Sequence, residues 1–485
     1  ALLTSYSDKL YARANTSLFI SISHLVALFK SLKNSSVVEF HFNAFNAALT
    51  SSIFQFHIAQ ISLLKLFFLS IAALSILDAL AISLEPYLRA FGCKGRNMSE
   101  RDVRRIKDAG GESAIRILRM KSKYPVGIKV EGCQNGVAFT WSRELKSERG
   151  RTTSNNAKEL ADYGKALYEA INSVDDEKIV LPVFAYYGTS RMWNDSKLLN
   201  KSKKIDLPRS VGYEECIEPS SSYNTFGQWF KYAMFSAAEF ERATKETGEA
   251  RENPYAAVLL AVRQAVTACL KSMGWTDINF SFAQQEFVLA HPDMGELTID
   301  VLSDGARSVI SMAADLAYRM VRLNPDLGER AALDTPGVVL IDEVDMHLHP
   351  SWQQTVLYDL QEAFPKVQFI VTTHSPQVLT SVNPESIRIL QWGHCFEGVR
   401  TPEFSLGAES YQLLKDIQNV ETRPQALPIV KDLARYLELV GEDKWDSKEA
   451  LELRARLDEW AQGREPALLR ADMDIRMRLF RRNKK

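Results

Sequence analysis

The stretch from Thr335 to Pro350 decides the fold and reads Thr-Pro-Gly-Val-Val-Leu-Ile-Asp-Glu-Val-Asp-Met-His-Leu-His-Pro. Its Pro-Gly turn precedes the apolar, β-branched run 338–341, which is typical of a buried parallel strand. Asp342 and Glu343 follow at the carboxyl end of that strand, the edge at which open α/β sheets bind ligands. The pair predicts a site where the first acid holds Mg²⁺ and the second polarises an attacking water. A strand that ends in a solvated acidic turn is the alternative.

A second strand with a polar end follows a helical stretch at 352–363. The apolar run 367–371 predicts another buried strand, and Thr-Thr-His-Ser follows it at 372–375. An imidazole at this edge can hydrogen-bond a terminal phosphate and respond to its loss. His374 is therefore a candidate site residue, and a capping or core histidine is the alternative.

A third motif lies upstream, where Leu302-Ser-Asp-Gly-Ala-Arg307 precedes a long amphipathic stretch that runs through Arg322. A serine hydroxyl, a glycine backbone and the amino end of a helix all direct hydrogen-bond donors and a positive dipole end at an anion. The motif predicts phosphate capture by Ser303 and the backbone of Gly305. An ordinary helix N-cap is the alternative for a single Ser-Asp-Gly.

The order of these three motifs resembles the AAA ATPases of the overcoming-lysogenization-defect and RecF/SMC-like group. Within that group the chain looks most like the PtuA-like ATPase subunits of Septu and retron antiphage systems, over about residues 75–485. The resemblance also includes Phe184–Trp193, Tyr213–Phe226 and Trp141–Lys146. It implies an α/β fold: an ABC-type ATPase head, with a mixed and parallel sheet flanked by helices, a helical insertion and a helical C-terminal region.

The resemblance also implies the cofactors, ATP and Mg²⁺, and a role for each site residue. Glu343 and His374 would be catalytic, as base and γ-phosphate sensor, and Asp342 would bind the metal. The expected cofactor-binding residues are Ser303, Asp304, Gly305, Arg307, Asp342 and Asp345. Asp345, His347 and His349 have metal-ligand spacing, but the resemblance places them in a loop at a dimer interface, so we do not expect a metal there.

The expected partners also follow from the resemblance. The signature of one copy completes the site of another, which implies a homodimer or a higher homo-oligomer. A separate HNH-type nuclease subunit is the expected effector, and nucleic acid (DNA, or a retron RNA–DNA) stays open as a further partner. No membrane partner is favoured, although Ile61–Leu77 borders on the length of a membrane span. The expected location is the cytoplasm.

The chain departs from the family at its phosphate-binding loop, GxxxxGK[ST]. The positions for the lysine and the hydroxyl residue hold Ala73 and Leu74, and residues 1–91 contain no glycine. A phosphate cradle needs close backbone approach and a lysine. Two explanations stay open: a degenerate, non-hydrolysing scaffold, or an atypical segment at 1–74 that is not native sequence. We favour the second, because Ser303, Glu343 and His374 are all retained.

Composition and patterning set the remaining expectations. The net charge is −1, and the five cysteines are widely spaced with no CxxC, which favours a reducing compartment. The predicted regions are an atypical segment at 1–74, the first part of the head at 75–204, a helical insertion at 205–278, the second part of the head at 279–400 and a helical region at 401–485. We also expect a hairpin around Asn135-Gly136, a solvated helix at 100–121, an amphipathic helix at 152–174, and strands at 280–300.

Aromatic residues at helical spacing in the insertion predict a packing face of Trp229, Phe230, Phe235 and Phe240. At the carboxyl end, residues 470–485 are rich in arginine and lysine, typical of a solvated helix end or of a phosphate-binding surface. Two other functions remain open. A DNA-repair ATPase of RecF or SMC type has the same motifs. A self-contained nuclease with a Toprim domain would need more chain after the head, where Asp472-Met-Asp474 is the one DxD.

Overall fold

The structure, a computed structural model, describes residues 37–40, 56–57, 64–65, 70–103, 105–107, 120–134, 137–173, 179–189, 208–219, 224–248, 252–392 and 396–483. Contacts divide the chain into two compact units, Ala1–Leu413 and Leu414–Lys485. The motif residues all belong to the first unit. The expected membrane-length stretch at 61–77 lies partly outside the described residues, and from Ser70 onward it forms part of a helix.

The strands of the first unit form several sheets. Those described are β1 (Val37–Phe40), β2 (Phe56–His57), β3 (Leu64–Lys65), β4 (Arg105–Lys107), β5 (Met120–Ser122), β6 (Val126–Gln134), β7 (Val137–Leu145), β8 (Val183–Tyr187), β9 (Thr276–Ser281), β10 (Glu286–His291), β11 (Gly295–Thr298), β12 (Gly337–Ile341), β13 (Val367–Thr372), β14 (Ile389–Trp392) and β15 (Phe396–Arg400).

Helices cover these sheets and form the second unit. The described helices are α1 (Ser70–Ala90), α2 (Lys158–Ile171), α3 (Asn224–Thr247), α4 (Ala256–Leu270), α5 (Asp304–Leu323), α6 (Ala331–Asp334), α7 (Pro350–Gln353), α8 (Val356–Ala363), α9 (Pro376–Leu379), α10 (Ser410–Asp416), α11 (Pro428–Gly441), α12 (Lys448–Ala461) and α13 (Pro466–Asn483). The fold is α/β, as predicted.

A four-stranded sheet in the order β3-β13-β12-β8 positions the site. All three pairings are parallel, and Ile341 lies between Val371 and Tyr187. Residues 337–341 are all buried, because apolar side chains on both faces of a parallel strand need cover from both sides. Helix α1 packs against β12 and α5 against β8. Both strands predicted around the two motifs are confirmed.

Local predictions outside this sheet have mixed outcomes. The hairpin is confirmed, because β6 pairs with β7 in antiparallel register from Gln134–Val137 to Val126–Leu145. The strands predicted at 280–300 are confirmed as the antiparallel sheet β11-β10-β9, which begins earlier, at Thr276. The helix predicted at 152–174 is confirmed as α2.

Two helix predictions are wrong in part. The stretch at 352–363 is broken, because α7 ends at Gln353 and α8 begins at Val356. The described part of 100–121 forms a 3-10 turn at Glu100–Asp102 and the antiparallel pair β4–β5 rather than a helix. Strand pairing across the sequence outweighs local helix propensity in that segment.

The insertion contains α3 and α4. Trp229 and Phe230 are buried as predicted, but Phe235 is 56% exposed, so that part of the expected packing face is wrong. Among the residues the structure describes, one stretch, Ala256–Met273, is long and apolar enough to cross a membrane. Val262 and Val266 in this stretch are fully buried, and the helix packs against α5, as a core helix does.

The second unit contains helices α11, α12 and α13 around a core of its own. Leu433, Tyr436, Leu453 and Leu457 are among the buried side chains that form it. Arg423 and Glu465 form a two-pronged ion pair with oxygen–nitrogen distances of 2.7 and 3.0 Å. This pair holds the pKa of the Glu465 carboxyl below its usual value.

Candidate functional site

The two motif strands end side by side, and their first polar residues bond to each other. The Thr372 hydroxyl donates a 2.7 Å hydrogen bond to Asp342 Oδ1. The backbone N–H of Asp342 donates to the carbonyl of Tyr187, at 2.8 Å, at the end of β8. Asp342 is buried, so these contacts fix the direction of its carboxylate at the sheet edge.

Glu343 and His374 lie at the same edge. The distance from His374 Nε2 to Glu343 Oε1 is 3.9 Å, and both side chains are about one-third exposed, at 34% and 31%. Glu343 has a left-handed backbone, with φ of 48°, and its N–H donates to Thr372 Oγ1 at 2.8 Å. A positive φ in a residue with a side chain is strained and is held in place by its surroundings. This backbone conformation places the carboxylate of Glu343 beside the imidazole of His374.

Asp345 connects the loop after β12 to the residues that follow β13. Its Oδ1 accepts hydrogen bonds from the Thr373 hydroxyl and, at 3.4 Å, from the backbone N–H of His374. The next residue, Ser375, donates to Gln353 Oε1 at 2.6 Å. Asp345 therefore positions His374 through Oδ1, and its predicted contact with the cofactor stays a prediction. We name Asp342, Glu343, Asp345, Thr372, Thr373 and His374 the strand-end cluster.

The signature residues form a second group at the amino end of α5. Ser303 is exposed, caps the helix, and accepts a 3.3 Å hydrogen bond from the N–H of Ala306. Asp304 and Arg307 pair with each other within the first turn. Ser303 is exposed at the amino end of α5, where backbone N–H groups and the positive end of the helix dipole favour an anion.

Gly305 joins the two groups through packing. A Cβ atom built on Gly305 would lie only 2.3 Å from the carbonyl oxygen of His347. His347 itself has a left-handed backbone, with φ of 61°. The loop after Asp342 and Glu343 therefore lies against the start of α5, and only a glycine permits this approach.

We expect Gly305→Ala to destabilise the first unit by about 1–3 kcal/mol, because a methyl group would be forced against backbone rather than against a movable side chain. Thermal unfolding measures the effect. Gly441→Ala, on α11 of the second unit, is the control for the substitution itself and should leave the first-unit transition unchanged, since a Cβ there meets nothing within 4 Å and its φ is not positive. Equal unfolding midpoints for the two variants would contradict the close packing of Gly305 on His347.

Sequence reasoning missed a second layer behind the cluster. Tyr186 lies beside Leu340 in the sheet and donates a 3.0 Å hydrogen bond to Asp78 on α1, which also pairs with Arg96. Burial raises the pKa of Tyr186, and the carboxylates of Asp78 and Asp342 raise it further. The phenol therefore stays neutral and donates. Sequence reasoning also missed the roles of Thr372 and Thr373. Their position directly before His374 in the motif was the signal that could have indicated them.

A phosphate-binding loop of the family type would lie between β3 and α1. Strand β3 pairs with β13 next to Thr372, and α1 begins at Ser70. The connection at 66–69 lies outside the described residues, and Ala73 and Leu74 fall within the first turns of α1. The edge formed by Asp342 and Glu343 fits Mg²⁺, which binds through one or two carboxylates together with phosphates and water. The sequence ahead of α1 supplies no glycine or lysine cradle at the motif positions.

His349, one of the two histidines of the loop, has a structural role. His349 caps α7: its Nδ1 accepts a 3.3 Å hydrogen bond from the N–H of Ser351. In the part of the chain that the structure describes, no group of three or more histidine, cysteine, aspartate or glutamate side chains is arranged to hold a metal ion.

A comparison with known protein families agrees with an ATPase site at this sheet edge. The family described as "AAA domain, putative AbiEii toxin, Type IV TA system" matches residues 146–380. This range contains the signature, both motif strands and the strand-end cluster. The match covers just under half of the chain, and it confirms the resemblance to AAA ATPases inferred from the motifs.

The chain is also similar to two retron probable ATPases and to a Septu protein. It is 36% identical to the retron Ec83 probable ATPase of Escherichia coli over 43% of this chain and 37% of that protein. It is 30% identical to the retron Vc95 probable ATPase of Vibrio cholerae over 52% of this chain and 56% of that protein. It is 40% identical to the Septu protein PtuA of Bacillus mycoides over 19% of this chain and 12% of that protein. The chain spans less than two thirds of each relative.

Proposed function

We propose that this chain is the ATP-binding and ATP-hydrolysing subunit of a cytoplasmic antiphage defence complex. The observation that supports it most strongly is the strand-end cluster, in which Asp342, Glu343 and His374 meet at the edge of one parallel sheet. The names of the retron and Septu relatives support the defence role. The proposal includes control of a separate HNH-type nuclease subunit, with nucleic acid as a further partner.

Each residue of the cluster has a role in this proposal. Asp342, oriented by Thr372, holds Mg²⁺. Glu343 orients the attacking water, and His374, held through Asp345, hydrogen-bonds the terminal phosphate. Bound Mg²⁺ neutralises charge that develops on the phosphates. Ser303 and the exposed start of α5 bind the phosphates of a second copy, so each site is completed in a head-to-tail dimer.

The absent phosphate-loop motif favours a second candidate, a non-hydrolysing scaffold of the same fold. Ala73 and Leu74 offer no cation and no hydroxyl to the phosphates. A scaffold of this kind would retain the sheet and the dimer surfaces but would bind no nucleotide.

A nucleotide titration of the full chain separates the two candidates. Isothermal calorimetry with ATP in the presence of Mg²⁺ should show saturable binding that EDTA weakens, because Asp342 contributes through the metal. Asp342→Asn should weaken binding in the presence of Mg²⁺ and lose the EDTA effect. No heat of binding with ATP at millimolar concentration would overturn the ATPase proposal in favour of the scaffold.

A further inference from the structure

Helix α13 of the second unit has two apolar faces, and only one of them is used by its own core. Leu468 and Ala471 are buried against α11 and α12, with Ile475 partly buried beside them. At 100° per residue, Leu469, Met473 and Met477 lie on the opposite side of the helix. They are 48%, 63% and 56% exposed. We name these residues the outer stripe.

The outer stripe has the geometry of a packing ridge. Its residues recur at every fourth position, the row that packs into the grooves of another helix at a crossing angle near −50°. The row is about 12 Å long, which corresponds to two turns of a partner helix. Two of the three side chains are methionines, which adapt their shape to a partner surface.

Cationic side chains flank the outer stripe on both sides. Arg476 lies along one side, and Arg470 and Arg481 lie along the other. Within the residues that the structure describes, none of the three arginines forms an ion pair. The carboxylates of α13 are already engaged elsewhere: Asp472 pairs with Arg454, and Asp474 pairs with Arg478.

The charges beside the outer stripe favour some partner helices over others. A second copy of α13 would bring arginine against arginine along the flanks, which opposes association. An amphipathic helix with apolar residues in the centre and carboxylates along both edges would bury the outer stripe and pair with the arginines, as charged flanking positions do between packed helices. We propose that the outer stripe docks an acidic amphipathic helix of a partner protein. The proposal is independent of the nucleotide site.

A synthetic peptide tests this directly. The probe is a helix-forming peptide of about 21 residues with leucine at heptad positions a and d and glutamate at e and g, where like charges keep it monomeric. Fluorescence anisotropy with the full chain should show saturable binding that weakens as salt rises. A matched peptide with lysine in place of glutamate should bind at least about 10-fold more weakly, a difference set by the flanking charges.

Variants locate the contact. Met473→Glu with Met477→Glu should weaken binding of the acidic peptide at least about 10-fold, because both substitutions place a carboxylate against the leucines of the peptide, where burying a charge is unfavourable. Leu451→Glu is the control: Leu451 is 58% exposed on α12, outside the stripe, and its variant should bind as the unmodified chain does. Equal binding of both peptides, or equal loss in both variants, would overturn the proposal. Binding of phosphatidylserine vesicles without binding of the acidic peptide would also overturn it, in favour of a lipid surface.

Discussion

Glu343→Gln is expected to lower Mg²⁺-dependent ATP turnover by about 10²–10⁴-fold, the range that a positioned general base contributes. Glutamine keeps the size of the side chain but cannot accept a proton from water. Nucleotide binding should persist, because the Asp342–Thr372 contact does not involve the Glu343 side chain. Phosphate release measures turnover, and calorimetry measures binding.

Glu329→Gln serves as the control for this result. Glu329 is an exposed glutamate that precedes the amino end of β12, whereas Glu343 follows its carboxyl end, and the Glu329 variant should hydrolyse ATP as the unmodified chain does. Turnover by Glu343→Gln within about twofold of the unmodified chain would remove Glu343 from the catalytic role, since a base is worth far more. Loss of binding together with turnover would instead assign Glu343 a structural role.

Arg319→Met is expected to reduce the free energy of unfolding of the first unit by about 3–5 kcal/mol, the cost of leaving a buried charge without its partner. Arg319 and Asp315 lie on α5 with side chains only 7% and 3% exposed, and their ion-pair distance is 2.7 Å. Tyr187 donates to the same Asp315 oxygen at 2.9 Å. Burial alone would lower the pKa of Arg319, but Asp315 outweighs it and the pKa stays above the ordinary value.

The backbone partners of Arg319 add to the loss. Its guanidinium donates to the carbonyls of Gly212 and Glu214, at 3.1 and 2.8 Å. These carbonyls would lose their donor in the variant. Urea unfolding followed by circular dichroism measures the change in the transition of the first unit.

Arg330→Met is the matched control for this measurement. Arg330 also pairs with an aspartate four residues along, Asp334, but its side chain is 63% exposed. Solvent screening makes the contribution of such an exposed pair small, so this variant should unfold much like the unmodified chain. The double variant Arg319→Met with Asp315→Leu should recover part of the loss, because no charge is left buried. Equal effects of Arg319→Met and Arg330→Met would contradict the buried pair.

The central sheet could be predicted because its signals are local. Apolar, β-branched runs at 338–341 and 367–371 are short and end in polar residues, so both strands and their shared edge were predictable. Parallel strands place their carboxyl ends together, which brings Asp342 and His374 to one edge. The helix start at Ser303 was likewise predictable from its capping residue.

The remaining features depend on contacts that sequence spacing does not reveal. The bonds of Asp345 to Thr373 and His374 were not predicted, because they depend on the register between β12 and β13. The aromatic stripe of α3 predicted a buried Phe235, but α3 buries only one side, and Phe235 falls outside it. The break between α7 and α8 and the pairing of β4 with β5 were missed, since local propensity is a weak guide where tertiary contacts decide.

Complementation between two inactive variants tests the central claim most directly. Glu343→Gln removes the water-orienting carboxylate, and Ser303→Glu places a carboxylate where the other copy's phosphates would lie. In a head-to-tail dimer of the two variants, one site carries both defects and the other carries neither. A mixture should therefore recover about a quarter of the unmodified ATP turnover, since half of randomly formed dimers are mixed and each has one intact site of two. Turnover of the mixture no higher than that of either variant alone would contradict the shared site.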